Sequence, residues 1–312
     1  MQTFRTWTGL APDARGAAAA IGNFDGVHLG HRVVIEAARD AAARLDAPLG
    51  VLTFEPHPRE FFAPDAPPFR LMNAEARSNR LAKLGVEHLY ELPFDGALAG
   101  LGPEAFARDV LKEGLGLSHV VVGRDFCFGK GRAGSAQDLE RFGREMGFGV
   151  SVVDLLSNEV GEVSSTSIRE LLTNGRPRDA AAMLGHWHRI EGEVLHGDSR
   201  GKALGFPTAN MSIHGLHRPR FGVYAVRVDV LSGPHAGSYD GACSIGVRPM
   251  FGENVPNCES YLFGFKGDLY GTHLSVALIE FLRDEAKYDS LNALVAQIEK
   301  DCARARDILA HV

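Results

Sequence analysis

The chain is short of thiols, of excess positive charge and of long apolar runs. Its four cysteines, Cys127, Cys243, Cys258 and Cys302, never stand in a C-x-x-C spacing. Such scatter offers neither a zinc cage nor a disulfide framework, and it fits a reducing cytoplasm. Lys and Arg number 33 against 39 Asp and Glu, a net charge of −6. With no global attraction for a phosphate backbone, sequence-independent nucleic-acid binding is not expected, and small-molecule chemistry is favoured. No run of about 18 apolar residues is present, so no membrane span is expected. The first 20 residues hold Arg5, Asp13 and Arg15 and lack the apolar core of a secretory signal.

Apolar material and glycine are plentiful. A hydrophobic content of 45% supplies burial, and 312 residues exceed what one core comfortably serves, so two domains are expected. Leu49 to Phe54, His88 to Phe94, Val120 to Gly123 and Gly149 to Val153 read as strands separated by amphipathic stretches. That alternation predicts an α/β domain, a parallel sheet with helices on both faces. Pro103 suits a first helical position, and Ser135 with Asp138 predicts a capping box. Glu55 to Pro68 holds five of the 15 prolines and reads as a rigid loop. After about Leu184 the pattern changes. Ile190 to Leu195 and Val223 to Val230 alternate or are β-branched between Gly, Pro and Asn breaks, which predicts a small antiparallel β-barrel. Leu291, Leu294, Val295, Ile298 and Cys302 recur at helical spacing and predict a C-terminal helix laid on that barrel. The expected domains are residues 1–184 and 185–312.

Gly22-Asn23-Phe24-Asp25-Gly26-Val27-His28-Leu29-Gly30-His31 joins the apolar run Ala17 to Ile21 to a helical pattern from Arg32. Unpaired amides at a helix start carry partial positive charge and can seat a phosphate chain. His28 and His31 beside them can donate to charge that builds as a phosphoryl bond breaks, which suits adenylyl transfer from ATP with pyrophosphate leaving. A metal site would need a third ligand at a fitting spacing, and a dinucleotide site would need G-x-G-x-x-G; neither follows. Two surface histidines beside a structural turn remain the plain alternative.

Other segments carry site signals. Thr53-Phe54-Glu55-Pro56-His57-Pro58 leaves a predicted strand with an aromatic ring fit to stack on a flat heterocycle. In Val122-Gly123-Arg124-Asp125-Phe126-Cys127-Phe128-Gly129, Asp125 can accept from a ring N–H and Phe126 can pack against an aromatic system. Ser164-Ser165-Thr166-Ser167-Ile168-Arg169 supplies four hydroxyls where a plain helix cap needs one, and Arg169 adds a permanent cation for phosphate oxygens. Gly197 to Asn210 brings three glycines, with Arg200 and Lys202, to an anionic ligand, and Thr208 and Asn210 present neutral oxygens of the kind Mg²⁺ accepts.

The first segment resembles the H-x-G-H signature of nucleotidyltransferases, and its longer form G-x-F-D-G-x-H-x-G-H resembles the bacterial bifunctional riboflavin kinase/FAD synthetase family. T-F-x-P-H-P, V-G-x-D-F-x-F-G, S-S-T-x-I-R and G-x-x-x-G-x-x-L-G-F-P-T-A-N resemble elements of the same family in its order, over about Gly22 to Arg306. The resemblance implies a nucleotidyltransferase domain that adenylylates FMN to FAD, followed by a barrel that phosphorylates riboflavin to FMN, both with ATP and Mg²⁺. It implies catalytic roles for His28 and His31, and for Glu259 as acceptor of the attacking hydroxyl proton. Gly22, Phe24, Asp25, Gly26, Gly30, Ser164, Ser165, Thr166 and Arg169 would hold ATP in the first domain, and Phe54, Pro56, His57, Asp125 and Phe126 the flavin. In the second, Gly197, Arg200, Gly201, Lys202, Gly205 and Pro207 would cradle phosphates, with Thr208 and Asn210 on the metal. Riboflavin, FMN and ATP are then the partners, with neither nucleic acid nor membrane, and a cytoplasmic enzyme is expected; the oligomeric state is unknown from sequence. A transferase for another phosphorylated metabolite and a flavin-binding regulator are the rival readings. Departures from the family pattern are Cys127, where a basic residue is common, His186-Trp187-His188 for R-P-Y, Met250 for Thr, and Gly264 for an acidic residue or histidine.

Overall fold

The computed structural model describes residues 1–154, 157–158, 161–196, 205–250 and 253–312. They fall into two compact units, Met1–Pro67 with Arg77–Val163, and Pro68–Ala76 with Ser164–Val312.

The first unit carries β1 (Gln2–Phe4), β2 (Ala18–Ile21), β3 (Leu49–Glu55), β4 (His88–Pro93), β5 (His119–Gly123), a small hairpin of β6 (Cys127–Phe128) and β7 (Gly134–Ser135), and β8 (Gly149–Val153). A two-stranded ribbon, β9 (Ser157–Asn158) and β10 (Gly161–Glu162), follows. Six strands pair in parallel in the order β1-β4-β3-β2-β5-β8. Helices are α1 (Leu29–Leu45), α2 (Pro58–Phe62), α3 (Ala74–Lys83), α4 (Gly96–Ala99), α5 (Pro103–Ala105) running into a π-helical stretch Phe106–Gly114, and α6 (Ala136–Met146). Strand β2 is Ala-Ala-Ala-Ile, buried throughout, as a central parallel strand covered on both faces must be. Its small side chains admit α1, which buries Val34, Ile35, Ala38, Ala41 and Ala42. The strand order reverses at β2, with β3 on one side and β5 on the other. Ligands of open α/β sheets bind at the carboxyl ends of such a pair.

The capping box at Ser135 and Asp138 forms as expected, and Pro103 opens α5. Two expectations need correction. Helix α1 begins at Leu29 instead of Arg32, because the His28 side chain caps it. The proline-rich segment is not loop throughout, since α2 forms within it.

The second unit contains α7 (Ser165–Thr173), α8 (Pro177–Leu184), β11 (Arg189–Glu193), β12 (Ala209–Ser212), β13 (Gly222–Val230), β14 (Gly237–Met250), β15 (Glu253–Leu262), β16 (His273–Arg283) and a C-terminal helix Leu291–Leu309. The strands pair antiparallel in the order β11-β16-β13-β14-β15-β12, and a bridge between Leu195 and Asn210 draws the two edges together into a nearly closed barrel. Its core holds Met211, Tyr224, Val226, Val228, Ile245, Cys258, Leu274, Val276 and Leu278. The C-terminal helix is capped by Ser290 and packs Ile298, Cys302, Ala305 and Leu309 against Ala225, Ala242, Ala277 and Ile279 on the barrel's outside. The expected apolar stripe is therefore displaced. Leu291 is 66% exposed, and Leu294 and Val295 are half-buried, because the first turns lie off the barrel wall while the small Cys302 and Ala305 approach it closely.

Candidate functional sites

In the first unit the turn after β2 is tightly wound. Phe24, Gly26 and Val27 take φ of +51°, +88° and +42°. For the bulky Phe24 and the β-branched Val27 such conformations cost about 1–3 kcal/mol each, strain of the kind found at ligand clamps. Phe24, Asp25 and His28 are buried. The His31 backbone N–H donates to His28 Nδ1 at 3.2 Å, which fixes the His28 tautomer with its proton on Nε2. The two imidazoles stack with centroids 3.6 Å apart and planes 15° apart, and Phe24 lies 5.1 Å from His31. His31 Nδ1 is sealed from solvent with no hydrogen-bond partner among the described residues. Burial first, and the neighbouring His28 second, hold the His31 pKa well below the ordinary histidine value. Both rings thus stand beside the α1 N-terminus, with His31 neutral. Gly30 lets them do so, since a Cβ there would lie 3.2 Å from the His28 ring and 3.4 Å from the Val163 carbonyl.

At the end of β3, Thr53 Oγ1 donates to the Asn23 carbonyl at 3.2 Å and ties this strand to the turn. Phe54 is buried and Pro56 exposed. His57 serves the structure of the next helix. Its Nδ1 accepts the Arg59 N–H at 3.0 Å, and its own N–H donates to Glu60 Oε2, a capping box at the head of α2. That helix brings up Phe61 and Phe62. Both pack edge-on to Phe94, at 5.4 and 5.7 Å, as Phe54 does at 5.7 Å. Phe62 is 67% exposed, so the cluster offers an open aromatic surface. After β5, Asp125 is exposed and Phe126 stacks on Phe128 at 5.6 Å. Cys127 is exposed. Phe61, Phe62 and Phe94 lie outside the motifs, and the one signal for them in the sequence is the Phe-Phe pair just past His-Pro.

In the second unit, Ser164 caps α7, its Oγ accepting the Ser167 N–H at 3.2 Å and lying 3.0 Å from Ser167 Oγ. Ser165 is half-buried and Thr166 exposed. Arg169 Nε donates to the Phe69 carbonyl at 2.6 Å, with the guanidinium 5.2 Å from the Phe69 ring. On the barrel, Asn210 stands opposite Glu259, and Glu259 opposite Ser244. Directly opposed residues share a face. That face is the outer one, since Met211, Cys243, Ile245 and Cys258 alternate with them into the core. Asn257 Nδ2 donates to Glu259 Oε1 at 3.1 Å, and Asn210 Nδ2 to the Thr208 carbonyl at 3.3 Å. Thr208, Asn210 and Glu259 are half-buried. Phe206, edge-on to Tyr261 at 5.4 Å, borders the same face, and Gly205 turns at φ +86°. Pro207 is exposed. Gly197, Arg200, Gly201 and Lys202 lie outside the described residues. Ser244 and Asn257, which no motif contains, emerge only from strand register.

The departures find partial accounts. Gly264 sits at φ +69°, where glycine is at ease and a side chain is strained. His188 is buried, its pKa pushed down to about 3 by desolvation and then by His217 and His186. Trp187 packs with the helix-side core. Met250 ends β14.

The family described as FAD synthetase matches residues 10–167, and that described as riboflavin kinase matches residues 184–309. A bifunctional riboflavin kinase/FMN adenylyltransferase of Pseudomonas fluorescens is 39% identical over 311 residues, 99% of this chain and 98% of the relative. The chain belongs to the bifunctional riboflavin kinase/FMN adenylyltransferase family. Its Escherichia coli K12 member is 36% identical over 94% of this chain and 92% of the relative. A crystal structure described as a macrolide-efflux protein from Streptococcus pneumoniae superposes with a TM-score of 0.80 at 29% identity, covering 96% of each chain. No helix among the described residues of this family member is long and apolar enough to cross a membrane.

Proposed function

We propose that this chain converts riboflavin to FMN and FMN to FAD, with ATP as co-substrate in both steps. The riboflavin kinase and FMN adenylyltransferase activities are those of its family; assignment of residues to steps is our reading. Adenylyl transfer is assigned to residues 1–184 and the kinase to residues 185–312.

In the adenylyl step an FMN phosphate oxygen attacks the α-phosphorus of ATP and pyrophosphate leaves. The stacked His28 and His31 carry this assignment, as imidazole donors at a helix N-terminus that stabilise charge on the phosphates as the bond breaks. Gly22, Phe24, Asp25, Gly26 and Gly30 form the turn that holds them, and Ser164, Ser165, Thr166 and Arg169 engage the triphosphate. The flavin ring lies on the aromatic surface of Phe61, Phe62 and Phe94, which the buried Phe54 backs edge-on to Phe94, with Pro56, Asp125 and Phe126 beside it. His57 contributes as the cap of α2.

In the kinase step the ribityl hydroxyl attacks the γ-phosphorus and ADP leaves. Glu259 accepts the hydroxyl proton late, as a loose transition state permits a weak base to do. Asn257 holds one Glu259 oxygen in place. The donor set facing Glu259 fits Mg²⁺: Thr208 and Asn210 bring neutral oxygens, and Asn210 spends its amide on the Thr208 carbonyl, leaving Oδ1 as the oxygen for a hard cation. When bound, the metal neutralises phosphate charge. Gly197, Arg200, Gly201, Lys202, Gly205 and Pro207 supply the phosphate cradle. The enzyme works in the cytoplasm, where its substrates and a reducing medium are found.

Incubating the pure protein with riboflavin, ATP and Mg²⁺ and separating flavins by chromatography tests this. FMN followed by FAD is expected. FMN without FAD would overturn the adenylyl assignment; no FMN would overturn the kinase assignment, and no FAD from separately supplied FMN would overturn the adenylyl one.

A further inference from the structure

We propose that His217, in the loop between β12 and β13, is a positioning residue for adenylyl transfer that braces Arg169. The proposal rests on the reading above that Arg169 engages ATP phosphates.

His217 reaches the segment around Arg169 in two ways. Its ring Nε2 lies 3.0 Å from the Arg169 carbonyl and 3.1 Å from Thr173 Oγ1. A carbonyl can only accept, so Nε2 carries the proton and donates into the last turns of α7. Its backbone N–H donates to the Arg70 carbonyl at 2.7 Å, and Arg70 bridges to Leu216. Arg70 adjoins Phe69, whose carbonyl takes Arg169 Nε and whose ring underlies the guanidinium. One residue thus ties down the main chain of Arg169 and the strip on which its side chain rests. Arg220 adds a second tie from the same loop, its N–H donating to the Leu172 carbonyl at 2.9 Å. Burial keeps the His217 pKa below the ordinary value, so the ring is a steady neutral donor.

A cation aimed at phosphate oxygens works only when held in place. Displacement of about 1 Å costs up to about 100-fold in rate. Among the described residues, none of the proposed kinase residues hydrogen-bonds to His217, whose partners are Arg169, Thr173 and Arg70, so its loss should fall on the adenylyl step.

The test compares His217→Ala, His217→Gln and Arg169→Ala in the full chain, with FMN and riboflavin supplied separately. Glutamine places an N–H donor near the Nε2 position. His217→Ala is expected to lower kcat/KM for ATP in FAD formation about tenfold, with FMN formation from riboflavin unchanged, and His217→Gln to restore most of it. If Arg169→Ala abolishes FAD formation while His217→Ala leaves it intact, the bracing proposal is wrong and the reading of Arg169 stands. If Arg169→Ala leaves FAD formation intact, that reading falls and the proposal with it. Equal loss of both activities in His217→Ala without rescue by glutamine would mark a merely structural residue and overturn the proposal.

Discussion

His28 and His31 lie face to face at the head of α1, ring centroids 3.6 Å apart, joined by a hydrogen bond from the His31 N–H to His28 Nδ1. The pair is one device, the His31 backbone N–H fixing the His28 ring on which the His31 ring stacks. Removing preorganised donors to developing charge costs about 100-fold to 1,000-fold in turnover. His28→Ala and His31→Ala should each lower FAD formation from supplied FMN by that order. FMN formation from riboflavin, followed in the same preparation, should hardly change.

Gly30 separates the two rings in sequence, and a methyl group there fits only if the His28 ring gives by a few tenths of an ångström. Its Cβ would press on His28 Cε1 and Nδ1, both at 3.2 Å. Gly30→Ala should fold and keep kinase activity, yet lose about 10-fold to 100-fold in FAD formation through tilting of the His28 ring. Steady-state rates for both products provide the check.

Acid should weaken the second unit through His188. Its pKa falls from 6.5 to about 3 on folding. Between those values the unfolded chain binds a proton that the folded chain refuses, so stability declines as pH falls through the window. The thermal midpoint should therefore drop between pH 7 and about pH 4.5, and His188→Gln should flatten that slope. Circular dichroism melts at stepped pH measure it; equal slopes would contradict the assignment.

On the barrel, Asn210 and Glu259 face each other across β12 and β15 with different roles. Asn210→Ala should raise KM for ATP in FMN formation markedly. Glu259→Gln should lower kcat with a smaller effect on ATP binding, because only the proton acceptor is lost. Initial-rate kinetics at varied ATP and Mg²⁺ separate the two patterns.

Much of the fold is legible because it rests on periodicity. The buried runs of β3, β4, β5 and β8 and the capping box at Ser135 follow local rules that the residues themselves state. The places that escape are those where histidine replaces the usual cap. His28 and His57 each accept a backbone N–H through Nδ1, outside the Ser, Thr, Asp and Asn set that marks helix starts. The start of α1 therefore reads three residues late and α2 reads as loop. The site residues found by motif cluster in short strings. Ser244, Asn257 and Phe94 join the candidate sites through strand register, a hydrogen bond and ring packing, which no local window contains. Leu291 fits the helical stripe well and is still exposed, since periodicity says which residues share a face and not how far the opposing wall extends.

The central claim is that one chain holds two separable sites. It is tested most directly by a crossed assay of Glu259→Gln and of the double variant His28→Ala/His31→Ala, each given riboflavin and, separately, FMN. Glu259→Gln should make FMN from riboflavin at a strongly lowered rate yet convert supplied FMN to FAD at the unmodified rate, and the histidine variant should accumulate FMN with little FAD. Loss of FAD formation from supplied FMN in Glu259→Gln, or loss of FMN formation from riboflavin in the histidine variant, would contradict the account.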